Sequence, residues 1–206
     1  MIRAEPLFID GPSGPIEAII EDPELSGRAY AVICHPHPVY GGTMDNKVVT
    51  TVARALQECA ISTVRFNFRG VGGSRGVFDQ GIGETEDAAA VAAFAAARWP
   101  GRPMLIAGFS FGGYVALRLA SLHLPEKLIA IAPAVQLFHS GTVAPSCPTL
   151  IIQGDADDVV DPTAVIEWAS AQSPAPRVVV LPDVGHFFHG RLRDLRDAVI
   201  DAVRNP

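Results

Sequence analysis

Charge is scarce in this chain. Asp, Glu, Lys and Arg make up 18% of its 206 residues, and the balance is acidic, at −6. A nucleic-acid binder needs a basic face, so that class is excluded. A mildly acidic surface implies solubility. Cysteine is scarce too. Cys34, Cys59 and Cys147 are an odd number, and their spacings match no zinc knuckle or CxxC motif. Their apolar or small neighbours point to buried free thiols in a reducing compartment. Long apolar runs are missing, since no segment approaches the roughly 18 residues of a membrane span. The opening "MIRAEPLFID" puts Glu5, Pro6 and Asp10 where a signal peptide needs continuous apolar residues. The expectation is a cytoplasmic protein with no membrane partner.

Apolar residues, by contrast, are plentiful, at 49%. That is enough for one sizeable core, and 206 residues fit one domain spanning 1–206. No repeat, low-complexity linker or composition break divides it. Two loosely alternating segments, 6–10 and 15–21, flank "GPSG" and read as an antiparallel edge hairpin. "RAYAVICH" is a continuous apolar run, as a strand covered on both faces requires. Val48, Val52, Ala55, Leu56 and Cys59 fall at helical spacing. "ETEDAAAVAAFAAARW" (84–99) predicts a helix with three acids in its first turn, where the helix dipole favours them. Strand and helix then alternate through most of the chain, with two consecutive strands on either side of 133–146. The expected fold is α/β: a three-layer αβα sandwich with a mostly parallel, doubly wound sheet and the N-terminal hairpin at its edge.

Ligands of such sheets bind beyond the C-terminal strand ends. Four of those ends carry distinctive residues: "CHPHPVYGG", "GFSFGG", "QGDADDVVDP" and "DVGHFFHG". In "GFSFGG", Ser110 lies between Gly108 and Gly112, after an apolar strand and before a helix. A serine there sits on a tight strand-to-helix turn, and glycines two residues away let strand and helix pack closely. The turn lifts Oγ above the sheet, and the Phe111 N–H points from the helix N-terminus. A serine nucleophile needs a base, and the base an orienting acid. His186, beside Gly185 on a later strand end, supplies the base, with His189 as its rival at the start of the last helix. Asp161 precedes Pro162 and reads as a helix cap. Asp155, Asp157 and Asp158 remain equal candidates for the acid on spacing.

Order, spacing and context resemble the α/β-hydrolase superfamily over nearly the whole chain. The combination "HPHPVYGGTMDNK", "RFNFRGVGGS" and "GFSFGG" is similar to a small bacterial subgroup of predicted hydrolases without a lid, distantly like dienelactone hydrolases, although those use a cysteine where this chain has Ser110. The resemblance implies G-x-x-D-x-x-V for the acid. Gly154, Asp157 and Val160 fit it, with Asp158 next. It also implies a second oxyanion donor from the loop after the third strand. Pro36 and Pro38 have no N–H, which leaves His37, with Val39 or Tyr40 behind it. The function implied is hydrolysis of an ester or thioester of a small acyl substrate through Ser110, His186 and Asp157, with no cofactor. Acyl transfer or peptide cleavage on the same residues, or a non-catalytic binding protein keeping the fold, are the alternatives. Tyr40, Val135, Leu137 and Phe138 are expected to wall an open cleft.

Three other readings fail. "RGVGGS" lacks dinucleotide-loop spacing, and "DADDVVD" lacks the glycine and distal glutamate of a calcium loop. His35 and His37 have no nearby carboxylate or third histidine to complete a metal set, so no metal is expected. Their imidazoles are expected to shape or border the cleft. Oligomeric state stays open between monomer and homodimer.

Overall fold

A computed structural model describes residues 2–23, 27–137 and 145–205. Its strands are β1 (Ile2–Gly11), β2 (Gly14–Pro23), β3 (Ala29–Cys34), β4 (Ile61–Phe66), β5 (Met104–Phe109), β6 (Lys127–Ile131), β7 (Thr149–Gly154) and β8 (Arg177–Leu181). They form one sheet in the order β1-β2-β4-β3-β5-β6-β7-β8. β1 and β2 are the expected hairpin, and β2 continues antiparallel onto β4. All later pairings are parallel.

The helices are α1 (Lys47–Gln57), α2 (Ile82–Arg98), α3 (Phe111–His123), α4 (Pro162–Ser170) and α5 (Leu192–Arg204). Alternation along the strands assigns them to faces. Tyr30, Val32 and Cys34 of β3 join the cluster beneath α2 and α3, whereas Ala29, Ala31 and Ile33 join the one beneath α1 and α5. Both faces are covered, which is why all six β3 residues are buried. α5 shows the logic most simply. It buries Leu195, Val199 and Ala202, one stripe at helical spacing, and leaves its charged residues outside. Among the described residues no helix is long and apolar enough to cross a membrane.

One expectation shifts. α2 begins at Ile82, two residues early, and only Glu84 of the three acids lies in its first turn. Its carboxylate is fully buried and turns back to accept the amides of Gly81 (2.7 Å) and Asp79 (2.8 Å). It closes the helix entry as a cap, satisfying donors that the helix leaves orphaned. Asp87, one turn on, is also buried and grips the Arg69 guanidinium at 2.9 and 3.0 Å.

Candidate active site

Ser110 forms the turn between β5 and α3 with φ 56° and ψ −117°. A non-glycine residue with positive φ costs on the order of 1–3 kcal/mol and persists only where the surroundings enforce it. Here its N–H donates to Ile131 O (2.9 Å), and its carbonyl accepts the amides of Gly113, Tyr114 and Ala134. The flanking glycines are sterically required. A Cβ on Gly108 would lie 2.0 Å from Gly112 O, and one on Gly112 would lie 2.3 Å from Cys34 O and 2.4 Å from His35 O. The second contact also shows that the start of α3 is pressed against the chain leaving β3.

Three strand ends then converge. Ser110 Oγ lies 3.0 Å from His186 Nε2, and His186 Nδ1 lies 2.8 Å from Asp157 Oδ2. An ionised carboxylate can only accept, so Nδ1 carries the proton and Nε2 offers its lone pair to the serine hydroxyl. All three residues are buried, with Ser110 8% exposed at the mouth of the site. Burial alone would raise the Asp157 pKa. The bond from His186 and the amides of Val160 (2.8 Å) and Val159 (2.9 Å) outweigh it and hold the carboxyl below its ordinary value. Phe109 and Phe187 pack on the His186 ring, with centroids at 4.9 and 5.1 Å.

The rival residues are elsewhere. Asp155 accepts the Asp183 amide, Asp158 is exposed, and Asp161 caps α4 through the Thr163 amide, as expected. His189 is exposed and stacks on Phe187, ahead of α5 and not within it.

After β3 the chain makes a single 3-10 turn over Pro38–Tyr40. The amide of Val39 donates to His37 Nδ1, and those of Tyr40 and Gly42 donate to His37 O. Val39 and Tyr40 are thereby spent. The amides of His37 and Phe111 have no acceptor among the described residues, and the two side-chain rings are 4.9 Å apart. The two open donors therefore belong to neighbouring residues. Burial lowers the His37 pKa, partly offset by the charge of Glu84.

His35 does not border the cleft. It is fully buried, donates from Nδ1 to Pro36 O (2.6 Å) and accepts the Phe68 amide at Nε2 (3.0 Å). Because a backbone N–H can only donate, this fixes the neutral tautomer. Burial pushes its pKa down to about 4. Both ring nitrogens are occupied, so His35 ties the β4 loop to the β3 loop and is closed to any ligand.

A cleft of about 200 Å³ opens beside Ser110 and His186, walled by Pro36, His37, Tyr40, Asn46, Val159 and Phe187. The described residues lining it include no Asp, Glu, Lys or Arg. Tyr40 lies where expected, 85% exposed at the rim. Val135 and Leu137 do not line this cleft. The 3-10 turn at Val135–Leu137 directs Val135 onto the β7–α4 cluster and Leu137 onto the core under α2 and α3. Phe138 lies outside the described residues. Val159 and Phe187 were missed, although each is within two residues of Asp157 or His186; that adjacency was the available signal. Asn46 was missed as well: it caps α1 through Oδ1 and also lines the cleft. A larger cavity, about 340 Å³, lies at the opposite strand ends between Arg28, Lys127 and Arg204, away from Ser110.

Known proteins share this architecture. Residues 28–146 match the family described as serine aminopeptidase, S33. The crystal structure of an α/β serine hydrolase without a lid from Xanthomonas campestris is similar at 46% identity, covering 98% of this chain and 94% of that one, with a TM-score of 0.93. An α/β serine hydrolase homologue from Coxiella burnetii is 42% identical, covers 96% of each chain and has a TM-score of 0.92. An uncharacterised protein of Rickettsia prowazekii is 33% identical over 207 residues, 95% of this chain and 87% of its own length.

Proposed function

The chain belongs to the serine aminopeptidase S33 family of α/β hydrolases, and we propose that it cleaves an ester-type bond, carboxylic ester or thioester, of a small acyl substrate. One observation carries the proposal: the unbroken hydrogen-bonded chain from Ser110 through His186 to Asp157.

Ser110 Oγ attacks the carbonyl carbon while His186 Nε2 takes the hydroxyl proton. Asp157 holds the tautomer and stabilises the imidazolium. The carbonyl oxygen becomes an oxyanion facing the Phe111 and His37 amides, each worth about 3–4 kcal/mol of transition-state stabilisation. His186 then returns the proton to the leaving alcohol or thiol, and the acyl group stays on Ser110. Water then attacks the acyl carbon and gives its proton to His186, which passes it to Ser110 Oγ as the carboxylic acid departs.

The uncharged lining favours an uncharged acyl group. It also weighs against the peptidase reading that the family description raises. An aminopeptidase has to hold its substrate's α-ammonium, and the described residues of this cleft offer no carboxylate to do so. A fluorophosphonate probe together with nitrophenyl esters of increasing acyl length tests the reading. Labelling at Ser110, abolished in Ser110→Ala, with ester turnover well above that of the matching anilides, is expected. Folded wild-type protein that resists the probe would end the serine-hydrolase proposal, and faster anilide cleavage would replace esterase by peptidase.

A further inference from the structure

Gln153 lies one residue before the end of β7, and its side chain is fully buried. Nε2 donates to Asp157 Oδ2 at 3.0 Å and to Gly154 O at 3.1 Å. Oε1 is buried and has no hydrogen-bond partner among the described residues. The orientation of the amide is forced. Turned over, Oε1 would face a carboxylate and a carbonyl, three acceptors together, and the two bonds would be lost.

A buried, unpaired carbonyl oxygen is costly, and a methionine would fill the same space without one. What the amide supplies is a second donor on the oxygen that holds His186. Oδ1 is fixed by the amides of Val159 and Val160, and Oδ2 is shared by His186 Nδ1 and Gln153 Nε2. With both oxygens tied, the carboxylate cannot rotate about its Cβ–Cγ bond as the imidazole gains and loses its proton.

We propose that Gln153 is a positioning residue for the reaction, holding the Asp157 carboxylate turned toward His186; this rests on the Ser110–His186–Asp157 reading. Gln153 acts through Asp157 and does not touch substrate. Methionine fills a similar volume without the amide, so removing the amide should cost activity and not packing.

The test compares wild type with Gln153→Met and Gln153→Leu. The expected result is a kcat about tenfold lower, the worth of one hydrogen bond to a charged group. KM stays within twofold, and the thermal midpoint is unchanged or higher. The low-field proton resonance of His186 Nδ1–H should move further downfield, because Oδ2, relieved of one donor, takes a stronger bond from the ring. This readout does not depend on turnover. Wild-type kcat and an unmoved resonance in a folded variant would overturn the proposal. So would a fall in kcat that tracks a fall in thermal midpoint in both variants, which marks a packing role. If fluorophosphonate labels wild type, these outcomes judge Gln153 alone. If it does not, the serine reading falls and this proposal with it.

Discussion

His35 and His186 are both buried imidazoles just beyond strand ends, and each has both ring nitrogens in hydrogen bonds. Their surroundings differ in one respect. The partners of His35 are a backbone carbonyl and a backbone amide, neither of which exchanges a proton. The partners of His186 are a carboxylate and a hydroxyl. His35 is locked in one tautomer by groups that cannot respond. His186 is held in the matching tautomer by groups that can, because Asp157 stabilises added charge while Ser110 has a proton to give. Burial and saturation of the ring are common to both; the chemistry of the two partners is what suits His186, and not His35, to the proposed role of base.

Leucine at each position puts the largest strain on this comparison. His186→Leu should lower kcat by about 10⁴-fold or more, since removing the base disables the whole chain of groups. Its denaturation midpoint should stay near wild type. His35→Leu should do the reverse. Leaving the Phe68 amide and Pro36 carbonyl unpaired costs about 1–3 kcal/mol of stability, while kcat of the folded protein changes only a few-fold. Esterase assays beside urea titrations check both. Comparable loss of activity in the two variants would break the distinction.

How far this distinction was legible in the sequence depends on what each residue answers to. Alternating strands and helices identified the layers, and the Gly108–Ser110–Gly112 spacing identified the turn, because both are local consequences of residue size and periodicity. His186 followed from the order of strand ends. Asp157 did not follow from spacing; only the family resemblance separated it from Asp155 and Asp158, since the choice depends on which loop amides close around which carboxylate. That His35 would tie two loops together and not border the cleft is hidden for a similar reason. Strand alternation would put His35 and His37 on one side, but β3 ends at Cys34, and the 3-10 turn that begins at Pro38 redirects the chain. Val135 and Leu137 failed likewise, as their direction is set by a 3-10 turn that apolar content alone does not reveal.

His37 sharpens the comparison, because its contribution is assigned to its amide and not its ring. Its φ of −53° is close to the value that proline fixes. His37→Pro therefore deletes the N–H with little demand on the backbone. It should lower kcat about 10²–10³-fold, as expected for one oxyanion donor. His37→Ala keeps the N–H and loses only ring packing and the Val39 bond, so its loss should be a few-fold. Steady-state kinetics on the two variants measure the gap. Equal losses would assign the effect to the imidazole and remove His37 from the oxyanion site.

The smallest expected effect tests the locked member of the pair. An unfolded chain protonates His35 near pH 6.5, whereas the folded protein holds it neutral down to about 4. Between these values the unfolded state binds more protons, so stability is full above about 6.5 and is lost as pH falls toward 4. The shift corresponds to about 3 kcal/mol at most. His37, also lowered by burial, adds to the loss with the same sign. Asp157, held below its ordinary value, loses its contribution only at lower pH, as the carboxyl protonates. The two windows can therefore be separated. His35→Gln replaces the ring by a polar amide that does not titrate. Its urea-unfolding free energy should be flatter than wild type between pH 6.5 and 4, and should fall with wild type below that range. An identical slope in wild type and His35→Gln would mean that His35 takes up its proton in the folded state, and the two imidazoles would then differ in location and not in kind.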